Sequence, residues 1–251
     1  MKTLFSCEQM VWGKILQNGK DLKGYTLAAK SAGLREAMCR QVLSAARRVL
    51  PAQTSDSPEA FTLFQASGEL VVFACTQRSP RSNATGRYYS QTHFLVMSPE
   101  AFALVSGDLH LLRARVGSIP VFEEETLLPP VEIDWQEDPL TQAVVVDRLF
   151  VRYSQEFILQ TLQAALGPHP VAYYEAAAEI EPLEWAQGLL LLLPRPIRMF
   201  FAFGMHTDHP AETALKLHLN PATSLKSPHL VARAADRLVF PAHLLDQASP
   251  R

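Results

Sequence analysis

The sequence has few cysteines and no apolar stretch long enough to cross a bilayer. Its three cysteines, Cys7, Cys39 and Cys75, are widely spaced and odd in number, which argues against a disulfide framework and against a zinc knuckle. The leucine run Leu189–Leu193 is far shorter than the ~20 residues that a membrane helix needs. The first residues also lack the apolar core of a signal peptide. We therefore expect reduced thiols and a cytoplasmic protein without membrane contact.

Motifs of common catalytic and cofactor sites are also missing. The sequence contains no G-x-S-x-G nucleophile elbow and no G-x-x-x-x-G-K-[ST] or G-x-G-x-x-G loop for phosphates. The formal net charge is -2 and hydrophobic residues make up 48%, which is typical of a globular chain and not of a basic nucleic-acid-binding domain. These absences predict no catalytic residue, no metal and no cofactor, and they make an enzyme the less favoured interpretation.

The first half of the chain predicts an α+β fold with mainly antiparallel strands. Asn18-Gly19 separates two strand-like stretches, which indicates a hairpin, and Ser98-Pro99-Glu100 is typical of a helix start. The elements expected there are strands 5–16, 25–29, 61–65, 70–76 and 88–97, a helix over 34–50 and a short helix ending at 105. Residues 119–138 are acidic and rich in proline, so we expect them to connect two modules.

The second half alternates helical and strand-like stretches, a pattern that favours a few parallel strands. The expected helices and strands are 140–152, 154–166, 170–175, 182–193, 197–204 and 214–219. Arg198 is expected to extend its charged end to the surface as the stretch after it enters the sheet. The sequence therefore predicts an α+β N-terminal module over residues 1–130, followed by a smaller α/β module over residues 131–251.

A compact His-Thr-Asp-His cluster follows the strand expected at 197–204. His206, Asp208 and His209 have ligand chemistry, and closely spaced ligands after a rigid strand can hold a metal. Two-metal hydrolases have a further histidine where Gly204 stands here. We therefore interpret the cluster as a polar loop, and metal-dependent hydrolysis stays an alternative.

Cysteine-based catalysis is the other enzymatic alternative. Cys7 and His93 are residue types that form a nucleophile and its base, although the sequence does not place them together. A buried thiol is the commoner state of an isolated cysteine.

Arginines cluster in two places. Arg40, Arg47 and Arg48 lie on the helix expected over 34–50, and Arg78, Arg81 and Arg87 lie in the loop after the second hairpin. The simplest interpretation is a solvated surface. The alternatives are a docking face for an acidic protein partner and, less favoured but not excluded, a nucleic-acid contact whose binding weakens with salt.

Several motifs, in their order along the chain, resemble the N-terminal and middle modules of the bacterial GTPase-associated proteins, type one. The first is a Q-x-x-x-G opening strand with Gln9 and Gly13. The second is a T-H-x-l-v strand formed by Thr92-His93-Phe94-Leu95-Val96, and the third is a junction with Leu193-Pro194, Arg198 and Phe203. The resemblance spans roughly residues 5 to 205.

The resemblance implies a non-enzymatic adaptor of a bacterial conflict, or defence, system that binds a small GTPase or another protein encoded in the same operon. The family implies no catalytic residues. The alternatives from the residues themselves are a metal- or Cys/His-dependent hydrolase and a nucleic-acid-binding subunit of a larger defence complex. The loop residues His93, His206, Asp208 and His209 and the six arginines are the candidate site residues.

Overall fold

Stretches of strand-forming residues from both halves of the chain build a single mixed sheet. The structure is a computed structural model that describes residues 2–50, 59–82, 85–86, 88–105, 107–117, 119–166, 171–175, 181–205, 215, 217–221 and 239–240. The strands within these residues are β1 (Lys2–Gln17), β2 (Lys20–Ser31), β3 (Glu59–Ser67), β4 (Leu70–Arg78), β5 (Ser90–Met97), β6 (Thr126–Leu128), β7 (Val131–Gln136), β8 (Val171–Glu175), β9 (Phe203–Met205), β10 (Leu217–Pro221) and β11 (Val239–Phe240). The helices are α1 (Glu36–Ala46), α2 (Pro99–Leu104), α3 (Leu109–Val116), α4 (Pro139–Arg152), α5 (Gln155–Leu166), α6 (Pro182–Leu192) and α7 (Arg195–Arg198).

The sheet has an antiparallel and a parallel part. Its strand order is β11-β8-β10-β9-β3-β4-β5-β1-β2-β6, and β7 pairs with the first residues of β1. The hairpins β1–β2 and β3–β4 and the pairs β4–β5 and β1–β5 are antiparallel. Strand β10 lies parallel to β8 and β9, and β11 lies parallel to β8. The expected α+β class with mainly antiparallel strands is confirmed.

The sheet crosses the module boundary expected at residue 130. Strand β7 begins at Val131 and pairs with β1, and β9 pairs with β3 through Phe203 and Leu63. Among the described residues, the two expected modules therefore share one sheet, and they also share its largest hydrophobic cluster. The division into 1–130 and 131–251 stays a prediction.

Local signals in the sequence fix the turns and helix starts. Asn18 and Gly19 adopt φ values of 50° and 75° in the β1–β2 turn, the left-handed conformations that a tight hairpin needs. Ser98 caps α2 by accepting a hydrogen bond from the Ala101 amide, and Asp138 caps α4 in the same way through the amides of Leu140 and Thr141.

Two expected elements are wrong. Residues 119–138 are not simply a connector, because they contain β6 and β7, and β7 buries Ile133 and Trp135 against the core. The expected strand 197–204 begins only at Phe203, since residues 195–198 form the helical turn α7. Proline is tolerated in the first turn of a helix, and Pro196 lies there. Helix α3 was not expected from the sequence at all.

The sheet carries a hydrophobic layer on each face. Helix α1 covers one face, where Val42 and Cys39 pack with Phe64, Val72 and Phe94. Helices α2 to α6 cover the other face, and their buried residues form a cluster with Phe61, Phe73 and Leu95. The three layers are therefore α1, the sheet, and the group of helices α2 to α6. Side chains of even and odd number point to opposite faces of each strand, which is why neighbouring residues such as Val72 and Phe73 belong to different clusters.

Arg198 does not extend to the surface as expected. It is 8% exposed, and its Nε and Nη2 atoms donate to the carbonyl oxygens of Leu193 and Leu191 at 2.9 and 3.1 Å. The last carbonyls of a helix have no partner within it. The guanidinium of Arg198 supplies these partners at the end of α6, and it thereby holds the chain turn that leads to Met199 and Phe200.

Candidate interaction groove

Helix α1 is amphipathic, and its packing on the sheet decides which residues face outward. Cys39, Val42 and Ala46 are buried against the sheet. Arg40 and Ser44 are exposed on the helix, and Arg48 is exposed just beyond its end. One flank of the helix lies beside the end of β3 and the segment 199–202. The groove lies between α1, the end of β3 and residues 199–202.

The groove has a volume of about 820 Å³, within the range of pockets that hold small molecules or side chains of a bound peptide. Its inner part is apolar, with Phe64, Ala66, Ala202 and Val49. At its rim the Phe200 side chain is 56% exposed. The remaining lining residues are Ala37, Arg40, Gln41, Ser44, Ala45, Arg48, Gln65 and Met199.

The charged side chains that line the groove are all positive. Arg40 and Arg48 line it, and none of its lining residues is acidic. The guanidinium of Arg40 lies 3.8 Å from the Glu36 carboxylate, but both side chains are about three-quarters exposed, so this ion pair is weak and easily exchanged. The two arginines are eight residues apart, with Arg40 on α1 and Arg48 just beyond its end. An apolar floor lined by two positive side chains suits an acidic segment that also has an apolar side chain.

The structure separates the six candidate arginines. Arg47 is exposed next to the end of α1 but does not line the groove. Arg78 stacks on the Tyr88 ring at 3.7 Å from its centroid, and Arg81 is exposed in the same loop. Arg78 is six residues along β4 from Val72, the partner of Phe64, so it lies about 20 Å from the groove along the sheet. Arg87 lies outside the described residues.

Cys7 and His93 are not brought together. His93 pairs with Val11 across β1 and β5, and Cys7 lies four residues from Val11, about 13 Å along the strand. The Cys7 thiol donates instead to the Val131 carbonyl at 3.7 Å. The cysteine opposite His93 is Cys75, on β4.

Both ring nitrogens of His93 contact groups of the chain itself. Its Nδ1 lies 2.7 Å from the Val116 carbonyl oxygen, and its Nε2 lies 2.7 Å from Gln9 Oε1. The side-chain Nε2 of Gln9 donates a hydrogen bond to the Pro129 carbonyl oxygen. Burial lowers the pKa of His93, and the hydrogen bond to Val116 acts in the opposite direction. The imidazole therefore connects β5 to β1 and to the end of α3, which is the role of a structural side chain.

The three thiols are free and buried. Burial, together with Glu8, raises the pKa of Cys7 to about 11. Burial is also the main cause that raises the pKa of Cys75, and the Glu59 carboxylate, which accepts a hydrogen bond from that thiol at 3.3 Å, adds to the effect. Burial raises the pKa of Cys39 as well. Because the thiolate is the reactive form of cysteine, these surroundings suppress nucleophilic chemistry.

We predict that the folded protein resists thiol reagents. With Ellman's reagent at mildly alkaline pH, the native chain should react slowly, whereas the chain in denaturant should report all three thiols at once. The reason is that burial both raises the thiol pKa and blocks access. Rapid labelling of any of the three thiols in the native chain, located by mass spectrometry, would contradict this assignment.

The remaining loop candidates lie outside the described residues. They are His206, Asp208 and His209, so the interpretation of this cluster as a polar loop stays a prediction and the metal site stays its alternative. Within the part of the chain that the structure describes, no three His, Cys, Asp or Glu side chains converge as metal ligands. No described helix combines the length and apolarity needed to span a bilayer.

Sequence reasoning found the arginines of the groove but missed its apolar rim. Met199 and Phe200 were expected to be buried in a strand, and the structure places them after α7 with Phe200 largely exposed. No local signal marks this exposure, because it depends on how Arg198 turns the chain at the end of α6.

Comparison with known proteins adds no relative. No protein-family model matches the chain, and no curated protein matches it. The resemblance to the GTPase-associated family therefore depends on the order and spacing of the motifs alone.

Proposed function

We propose that the protein is a non-enzymatic adaptor that binds a protein partner through the groove between α1 and residues 199–202. The single observation that carries the proposal is the exposed Phe200 at the rim of an apolar groove whose lining charges are Arg40 and Arg48. Exposed aromatic residues and arginines are enriched at sites where proteins bind one another.

The chemistry of the groove defines the partner segment. Arginine binds carboxylates through two parallel hydrogen bonds, and such pairs fix orientation as well as affinity. A partner segment with two carboxylates and an apolar side chain between them would pair with Arg40 and Arg48 and cover Phe200. The ordered motifs that resemble the GTPase-associated family support a small GTPase encoded beside this protein as that partner.

The Cys/His alternative has less support. The Cys7 thiol and the His93 ring each contact other groups of the chain, and the thiol pKa values are raised. The nucleic-acid alternative needs a basic surface that follows a phosphate backbone, whereas the candidate arginines that the structure describes lie in two clusters about 20 Å apart. We therefore favour the adaptor function over the Cys/His-dependent hydrolase and the nucleic-acid-binding subunit.

The test is binding of the full chain to any small GTPase encoded in the same operon, measured by titration calorimetry with the GTPase loaded with GDP or with a non-hydrolysable GTP analogue. The double variant Arg40→Glu, Arg48→Glu and the single variant Phe200→Asp should each weaken binding by about tenfold or more, because one removes charge pairing and the other the apolar contact. These side chains are exposed, so the fold should tolerate the changes.

Arg81→Glu is the matched control, since Arg81 is exposed and lies in the other arginine cluster. It should leave the affinity unchanged. Absence of binding in both nucleotide states would overturn the GTPase as partner. Equal binding by the wild type and by the groove variants would overturn the groove as the site.

A further inference from the structure

Strand β3 has an unpaired edge along its last residues. On one side it pairs with β4 from Glu59 to Ser67, but on the other side its pairing with β9 ends at Leu63, opposite Phe203. Within the described part of the chain, the N–H and C=O groups that residues 64–67 direct to this second side have no backbone partner. Such an edge is a template to which another strand can be added.

The chain that leads into β9 turns away from this edge. The amides of Phe200 and Phe201 donate to carbonyl oxygens of α7 at 3.0 and 3.1 Å, and the Ala202 amide donates to the Phe200 carbonyl at 3.1 Å. Because their amides are bonded within this turn, residues 199–202 do not extend β9 alongside β3. The groove lies in the space between them.

The groove reaches the backbone of the unpaired edge. Three consecutive residues of β3, namely Phe64, Gln65 and Ala66, line it, although the side chains of neighbouring strand residues point to opposite faces. Gln65 and Ala66 are partly exposed. Another wall of the groove carries Arg40 and Arg48. A segment bound in the groove therefore lies beside both a strand edge and two positive side chains.

We propose that the partner segment binds in an extended conformation and adds a strand to β3 at residues 64–67. This inference rests on the proposed function, since it describes how the groove holds its acidic partner. The main chain of the added strand bonds to the edge of β3, and its side chains give specificity. Alternate side chains of a strand lie on the same side. The two carboxylates for Arg40 and Arg48 and the apolar side chain between them therefore belong at every second position, in the pattern acid-x-apolar-x-acid.

The length of the unpaired edge limits the contact. Four strand residues extend over about 13 Å, and the pairing of β3 with β4 shifts register between Gln65 and Ser67, as at a β-bulge, which bends the strand. The added strand is therefore short and makes few main-chain hydrogen bonds. Binding then needs these bonds and the two arginines together, so the loss of either contribution should be measurable.

Backbone methylation separates strand addition from other modes of binding. The probe is a synthetic seven-residue peptide with glutamate at its second and sixth positions, leucine at its fourth and threonine elsewhere, titrated into the full chain by calorimetry. Three further peptides each carry a single N-methyl group, at the third, fourth or fifth amide. Alternate amides of a strand point to the same side. Methylation should therefore weaken binding by about tenfold at every second amide, where it removes a hydrogen bond and the close approach to β3, and should have little effect between them.

The outcomes separate this proposal from the proposed function. Equal affinities of the three methylated peptides would contradict strand addition, and so would equal losses, because a helical segment uses each of these amides within itself. The double variant Arg40→Glu, Arg48→Glu should lose the unmethylated peptide, whereas Arg81→Glu should bind it as the wild type does. If the groove variants lose the peptide but methylation shows no alternation, the groove remains the site and strand addition is wrong. A wild-type chain that does not bind the unmethylated peptide also overturns strand addition, while the titration with the GTPase decides the adaptor function separately.

Discussion

Replacing Trp185 with alanine should lower the free energy of unfolding by about 4 kcal/mol, the usual size of a large aromatic truncation in a packed core. Trp185 is 1% exposed on α6 and belongs to the cluster between the helices and the sheet. Its ring meets the Tyr153 ring edge-on, with 5.9 Å between the centroids. Loss of the indole leaves a cavity, because the cluster to which it belongs is built from several helices and the sheet and relaxes only in part. Urea unfolding followed by circular dichroism measures the change.

Two variants make the Trp185 result specific. Trp185→Phe keeps an aromatic ring in the same place and should cost much less than the alanine variant. Trp12→Ala removes the same side chain from a partly exposed position on the α1 side of the sheet, so its effect should also be smaller. If Trp12→Ala were as costly as Trp185→Ala, the cluster between the sheet and α6 would not be the main stabilising core.

Short-range chemistry in the sequence was enough to predict most elements of this fold. The Asn18-Gly19 turn, the Ser98 cap and the strands on both sides of Gly68-Glu69 all depend on residues within a few positions of each other. Turn type and helix capping are decided by such local hydrogen bonds and backbone conformations. The structure confirmed these elements, with helix and strand ends shifted by a few residues.

Long-range pairing was not predictable in the same way. Strand β7 lies in an acidic segment that looked like a connector, yet it pairs with the first residues of β1, more than a hundred residues earlier. The alternation of Val131, Ile133 and Trp135 with charged or polar residues was a usable signal, and it fits the burial of Ile133 and Trp135. The partner strand could not be inferred, because pairing depends on which edge the rest of the sheet leaves open.

The groove shows the same division between local and long-range information. Arg40 and Arg48 were identifiable from the pattern of one helix, whereas Phe64 and Phe200 reach the same groove from distant parts of the chain. The exposure of Phe200 was not visible in the sequence, since the leucine-rich helix before it suggested a buried strand after it. Pro194 and Pro196 prevent α6 from continuing, and the buried Arg198 then supplies hydrogen bonds to the carbonyls left at its end.

Replacing Arg198 with methionine should therefore lower the free energy of unfolding by about 3 kcal/mol. Methionine fills much of the same volume, but it leaves the carbonyls of Leu191 and Leu193 without their donors. Hydrogen bonds that involve a charged group contribute about 1.5–3 kcal/mol each, and a buried carbonyl without a partner has a further cost. A positive charge at the end of a helix also stabilises it. Arg198→Lys should recover only part of the loss, because one ammonium group cannot reproduce the planar fork of the guanidinium.

Arg195→Met is the matched control for this prediction. Arg195 lies in the same helical turn and pairs with Glu137, but its side chain is 52% exposed, so its loss should cost less than about 1 kcal/mol. Urea unfolding of both variants gives the comparison. Because Arg198 also sets the direction of Met199 and Phe200, the folded Arg198→Met variant should bind the groove's partner more weakly, while Arg195→Met should bind it as the wild type does. Equal stability of the two variants would show that the end of α6 does not depend on the Arg198 guanidinium.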